Sequence, residues 1–297
     1  MESEKKLSVV IIYNQRKYYL LKKSLKSIYS QARHDKINVF IVDTCGDLDH
    51  NDKLFSSQSL SFNLIKKVDI SYYEALNSCA SIVSSEWISF LQIGSTYASE
   101  NVIKDILSMT KANTADIYYG DSLKIVSESL NTYKTEVAKP VETISKSQPF
   151  QFESCIFKTS ILKSYMFNTT YKYSAEYDLL IRLFKDDISF VHLLLPISKS
   201  SFLKSFEERI EKLFIISKYF GEEALVNSEY YKPFARLGDC EVNRIKRHIR
   251  YINTQINEQE KTLQERQKEF GEIQNTLVYR LGKKIYSLLY VFPWRRK

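Results

Sequence analysis

VDISYYEALNSCASIVSSEWISFL, residues 68–91, places a helix directly before a strand. Ala75, Leu76, Cys79, Ala80 and Val83 fall at i, i+1, i+4, i+5 and i+8, one apolar helix face, so a helix is expected over 72–83. Trp87 to Leu91 is apolar, too short for a helix, and reads as a buried strand. The same alternation continues on both sides. Leu7 to Tyr13 (LSVVIIY) is almost wholly apolar and rich in β-branched residues, as a strand buried on both faces requires. From about Arg16 to Gln31 a helix is expected, with Tyr18, Leu21, Leu25 and Ile28 on one face. Ile37 to Val42 (INVFIV) is a second strand, ending at Asp43. Phe62 to Ile65 and Asp116 to Tyr119 (DIYY) are further strands, and Val102 to Met109 is a helix. Strands alternating with helices predict an α/β fold with a mainly parallel, doubly wound sheet flanked by helices. Ligands of such sheets sit beyond the C-terminal strand ends. That directs attention to Asn14, Asp43, the loop from Gln92 to Thr96, and Asp121.

From Thr143 the pattern changes. Phe152 to Phe157 reads as a strand, Ala175 to Phe184 as a helix, Ile188 to Leu194 as a strand, and Phe206 to Tyr219 as an amphipathic helix. There are no internal repeats. After Gly238, Val242, Ile249, Ile256, Leu263, Phe270 and Leu277 recur every seven residues. Ile245, Ile252 and Ile273 fill the companion position, which Gln259 and Arg266 interrupt. This is a heptad seam on one long helix. It suits self-association or a partner helix through 242–277, or a helix packed along its own domain.

Composition narrows the function classes. The 297 residues are 44% hydrophobic and 26% charged, a globular balance. The four cysteines and four histidines are scattered without metal-site spacing. No stretch is long enough to span a bilayer, and no signal-peptide pattern opens the chain, so a cytoplasmic setting is expected. Net charge is +8, and residues 276–297 contribute Arg280, Lys283, Lys284, Arg295, Arg296 and Lys297 with no acid. The remainder is nearly neutral, which disfavours nucleic acid as a partner.

Four stretches in order resemble family-2 glycosyltransferases of the GT-A type. SVVIIYN with the helix ending SIYSQ is similar to the family's opening strand and helix, FIVD to its base-pairing aspartate strand, VDISYYEALNSCASIVSSEWISFL to its D-x-G-x-Y-D-A-x-N-x-G stretch, and SAEYDLLIRLF to its catalytic helix. Together they span roughly residues 7–195. The resemblance implies a nucleotide-sugar half at about 1–125 and an acceptor half at about 126–200. A helical extension (201–237), the heptad helix (238–275) and the basic tail (276–297) follow. It implies nucleotide contacts at Tyr13, Asn14, Asp43 and Asp69, a donor or phosphate region at Asn77, Gly94, Ser95 and Asp121, and an acceptor region at Glu153 and Asp178. Glu176 stands at the general-base position. Read from the residues alone, Asp43 at a strand end is more often a turn or cap residue, and Glu176 and Asp178 fit a solvated helix face with Arg182 pairing Asp178 at i, i+4.

The family uses Mg²⁺ or Mn²⁺ held by carboxylates after the fourth strand. Here that segment is Gln92-Ile93-Gly94-Ser95-Thr96, without a carboxylate, and Asp121 is the nearest substitute. A glycine of the third stretch is replaced by Ser71, and a histidine–glutamine pair near the acceptor by Phe152-Glu153. Three functions follow as expectations: an inverting transferase passing a sugar to a saccharide or lipid-linked saccharide in bacterial surface polysaccharide synthesis, an impaired member that binds a nucleotide sugar or a partner enzyme, and an assembly subunit working through its C-terminal helix. The tail, with aromatics and cations around the short apolar run Ile285 to Trp294, suits an anionic membrane surface and a peripheral site at the inner face of the cell membrane. It equally suits a basic amphipathic helix docked on the protein itself.

Overall fold

The computed structural model describes residues 5–49, 61–112, 115–127, 130, 132–200 and 205–233. In the C-terminal segment it describes Arg247, Thr254, Glu258, Lys261, Thr262, 264–266, Lys268, Glu269 and Glu272. The chain divides into two units, Met1–Leu237 and Gly238–Lys297.

In the first unit, β1 (Leu7–Tyr13), α1 (Tyr18–Tyr29), β2 (Ile37–Asp43), β3 (Asn63–Lys66), α2 (Tyr72–Ile82) and β4 (Trp87–Phe90) come first. They are followed by β5 (Thr96–Tyr97), α3 (Val102–Ala112), β6 (Ile117–Ser127), β7 (Thr132–Glu136), β8 (Cys155–Lys158) and α4 (Thr159–Tyr165). Then come α5 (Ala175–Lys185), β9 (Phe190–Ser200) and α6 (Phe206–Asn227). The strands form one sheet in the order β3-β2-β1-β4-β8-β6-β9-β5, with β7 paired to β6. Every residue of β1 is buried because β2 and β4 flank it, both parallel, and helices cover the faces. At roughly 1.5–3 kcal/mol per buried aliphatic side chain, this strand and β2 anchor the sheet.

Beyond β4 the sheet is mixed rather than mainly parallel. β8 runs antiparallel to both β4 and β6, β7 antiparallel to β6, and β5 antiparallel to β9, while β9 lies parallel to β6. The reason for β6 and β7 is chain length, because a connection this short can only return antiparallel. The strand expected over Phe152–Phe157 begins as a 3-10 turn at Phe152–Ser154 and becomes extended at Cys155. The helix expected from Phe206 to Tyr219 runs on to Asn227 through a non-helical Gly221.

α2 is fixed at its start by a reciprocal cap. Glu74 N–H donates to Ser71 Oγ at 3.3 Å, and Ser71 N–H donates to the Glu74 carboxylate at 2.7 Å. Ser71, which replaces a glycine of the resembling family, is therefore a cap residue. At Gly120 a Cβ would lie 2.5 Å from the Leu195 carbonyl, where β6 and β9 lose register, so only glycine fits.

In the second unit the described positions are helical and exposed, including Arg266, one of the polar interruptions of the seam. The apolar seam residues and the basic tail 276–297 lie outside the described residues. No described helix is long and apolar enough to cross a membrane.

Candidate active site

The C-terminal ends of β1 and β4 open into a cavity of about 600 Å³ in the first unit. Ile12, Asn14, Gln92 and Ile93 line its floor, and Tyr72 and Tyr73 of α2 one wall. Glu153, Glu176, Lys172, Glu208, Arg209 and Lys212 supply most of its charge. Side chains alternate along β1, so Tyr13 turns to the opposite face from Ile12 and Asn14 and joins the core there.

Glu176 sits in the first turn of α5, where the helix N-terminus favours a carboxylate. It accepts a hydrogen bond from the Tyr73 hydroxyl, which ties α5 to α2. Burial pushes the Glu176 carboxyl above its ordinary range, while Lys212 and Tyr73 oppose that shift. Across the cavity Glu153 is only 7% exposed, and burial raises it to about 7, with the Glu176 charge adding to the shift. Lys212 is 2% exposed and donates to Glu208 Oε1 at 2.5 Å, one helical turn away. Burial draws its ammonium down, but Tyr230, Glu208 and Glu176 outweigh that, and the net direction is up.

Glu153 gives a stability prediction with a defined sign. Its folded pKa is raised, so between the ordinary carboxylate value of 4.5 and about 7 the folded chain holds a proton the unfolded chain has lost. Stability therefore falls as pH rises through that window. At 1.36 kcal/mol per pKa unit, the burden at pH 8 is on the order of 3 kcal/mol. Glu153→Gln should raise the melting temperature at pH 8 by roughly 5 °C or more and leave it nearly unchanged at pH 4. Equal melting shifts at both pH values would remove this reading.

The other sequence candidates occupy different places. Asp43 is fully buried at the end of β2, and its Oδ1 accepts from Cys45 N–H (2.9 Å) and Gly46 N–H (2.8 Å). Its Oδ2 accepts from Leu48 N–H at 3.0 Å. It organises the turn after β2 and does not line the cavity. Asn77 clamps Phe167 from both sides, donating to its carbonyl (2.9 Å) and accepting its N–H (2.7 Å). Asp178 is fully buried and joins Arg182, at 2.9 Å and i+4, to the Tyr219 hydroxyl at 2.7 Å. Asp121 Oδ1 meets Ala138 N–H at 2.8 Å and His192 Nε2 at 3.1 Å. Asp69 is an exposed turn residue with φ +60°. Gly94, at φ +90°, donates its N–H to Ser24 Oγ, and the neighbouring Ser95 is fully buried. Of these candidates, Asn14, Glu153 and Glu176 meet in the cavity.

The divalent cation implied by the resemblance does not fit this donor set. Gln92 and Ile93 face the cavity where the family's carboxylates stand, and the Ser95 hydroxyl is buried without a partner among the described residues. Glu208 is taken by Lys212, Glu136 by Gln151 Nε2 at 2.9 Å, and Glu176 by Tyr73. Among the described residues the one converging group of three is Asp43, Cys45 and Asp47, outside the cavity lining. There Asp43 already faces three N–H donors, and a thiol suits a hard cation poorly.

No family model matches the chain, and no curated protein matches it. Solved structures do. S. aureus TarS superposes with a TM-score of 0.55 at 15% identity, over 82% of this chain and 42% of that one. A 1–349 form of TarS in complex with UDP-GlcNAc gives 0.53 at 15% identity, over 81% of this chain and 70% of that one. Mannosyltransferase PcManGT from Pyrobaculum calidifontis, in complex with GDP-Man and Mn²⁺, gives 0.54 at 14% identity, over 98% of this chain and 81% of that one. The chain has a GT-A glycosyltransferase fold. It spans less than half the length of that first TarS chain.

In this GT-A fold the charged wall from α6 is what sequence reading left out. Glu208 and Lys212 stand at i, i+4, and Arg209 and Lys212 at i, i+3, so one helix face carries all three. The Ser71-x-x-Glu74 capping box was visible as a motif. The α6 wall had no signal beyond ordinary amphipathic charge spacing.

Proposed function

We propose that the chain is a sugar transferase that takes a nucleotide-sugar donor over the C-terminal ends of β1 and β4 and passes the sugar to a hydroxyl of a saccharide or lipid-linked saccharide. The observation that carries this reading is Glu176, a half-buried carboxylate facing the cavity and positioned by the Tyr73 hydroxyl. The acceptor hydroxyl gives its proton to Glu176 as its oxygen bonds to the anomeric carbon. The bond from that carbon to the diphosphate oxygen breaks, and the nucleoside diphosphate leaves with the electron pair, inverting the anomeric centre. Asn14 contacts the donor at the cavity floor. The Tyr13 hydroxyl and Asp47 Oδ1, both buried without partners among the described residues, lie near the turn that Asp43 shapes, outside the cavity lining. The tail 276–297 brings the enzyme to an anionic membrane surface, where a lipid-linked acceptor resides.

Calorimetry with the full chain tests the donor part. UDP or GDP should bind with one-site stoichiometry, and excess of the matching nucleotide should raise the melting temperature. Absence of heat and of stabilisation with both nucleotides would end the reading.

A further inference from the structure

A nucleotide-sugar donor brings a diphosphate whose negative charge must be met inside the cavity, and the carboxylates present do not form a site for a divalent cation. The cavity offers cations of its own. Lys124, Lys172, Arg209 and Lys212 line it beside Glu136, Glu153, Glu176 and Glu208. Glu208 offsets Lys212 directly. Glu136 is hydrogen-bonded to Gln151, and burial holds Glu153 partly protonated near neutral pH. Among the described residues neither Arg209 nor Lys172 is held in an ion pair. Both stand on backbone that α6 positions. Arg209 is on its first turns, and the backbone N–H groups of Lys172 and Tyr173 donate to the Glu211 carboxylate at 2.8 and 2.7 Å. The backbone that carries both cations is therefore ordered in folding, before a ligand arrives. Guanidinium and ammonium groups at a cavity wall are the donors that suit phosphate oxygens.

We propose that Arg209 and Lys172, backed by the buried Lys212–Glu208 pair, bind the donor's diphosphate directly, so that donor binding and departure of the diphosphate need no divalent cation. This rests on the donor reading above and replaces the cation that the fold's relatives lead one to expect. In the transfer step the two cations meet the charge that develops on the leaving oxygen as the bond to the anomeric carbon breaks.

The test is calorimetry of the full chain with UDP and with GDP, in EDTA and again in excess Mn²⁺. The expected result is binding of at least one nucleotide in EDTA with an affinity that Mn²⁺ leaves unchanged. Lys172 is exposed and Arg209 half-buried, so the fold should survive Arg209→Gln and Lys172→Gln, and circular dichroism verifies it. Each should weaken that nucleotide roughly tenfold or more, as loss of one charge-assisted hydrogen bond predicts. Binding of the corresponding nucleoside, which lacks the phosphates, should be the same in all three proteins. Binding that appears only with Mn²⁺, or affinities unmoved by both substitutions, overturns the inference and leaves the donor reading standing. Failure of both nucleotides under both conditions removes the donor reading and the inference with it.

Discussion

Glu176→Gln should lower transfer by roughly 10²–10⁴-fold while nucleoside diphosphate still binds, because a positioned general base contributes about that much and the amide keeps the shape. The measurement is release of nucleoside diphosphate from UDP-GlcNAc and GDP-Man in the presence of a panel of saccharide acceptors. The pH profile adds a readout that a purely structural role would not move. Glu176 must be ionised to accept the acceptor's proton, and burial raises it above the ordinary carboxylate range. Activity should therefore rise with pH along a limb displaced upward from that range, and the limb should vanish in Glu176→Gln. Tyr73→Phe removes the hydrogen bond that lowers Glu176. It should move the limb to still higher pH and leave donor affinity intact. A Glu176→Gln protein that transfers sugar at the wild-type rate would eliminate this carboxylate as the base.

The parts of the fold that could be read in advance are those whose pattern is local. β1 and β2 are apolar runs bounded by polar residues, and α1 and α2 carry one apolar face, so each declares its own period. β7 (TYKTE) is exposed at nearly every position, and β5 has two residues, so neither has a period to read. Strand direction past β4 is likewise set by how the chain returns. It is not encoded within β8, whose Phe157 packs in an aromatic cluster with Phe90 and Phe152. The candidate site divides the same way. Glu176 and Glu153 could be placed by their neighbours in sequence. Asn77 and Asp178 stand in similar motifs but hold Phe167 and the Arg182–Tyr219 pair, because short polar side chains on a buried helix face must be satisfied by whatever backbone or cation packs there. Arg209 and Lys212 enter the cavity only through the docking of α6, a tertiary event with no local signature.

Asp43 is where the local and tertiary readings meet, and its substitution separates them. A free carboxylate at a strand end would serve a nucleobase, and its removal would weaken nucleotide binding while leaving the fold alone. The observed carboxylate accepts three backbone N–H groups of the following turn and is fully buried. Removing it orphans those donors. With hydrogen bonds to a charged group contributing about 1.5–3 kcal/mol each and shared partners making the three non-additive, Asp43→Ala should destabilise the first unit by on the order of 4 kcal/mol. That is a large share of the ~5–15 kcal/mol that holds a domain folded. Asp43→Asn keeps one carbonyl-type oxygen for Cys45 and Gly46 but sets an amide donor against the Leu48 N–H, so it loses one of the three bonds and should cost clearly less than Asp43→Ala. Denaturant melts of the two variants against wild type give the comparison. An Asp43→Ala protein as stable as wild type, with only its nucleotide affinity reduced, would return Asp43 to the role of a base contact. The expected order, Ala well below Asn and Asn below wild type, would place its effect in the shape of the turn that follows β2.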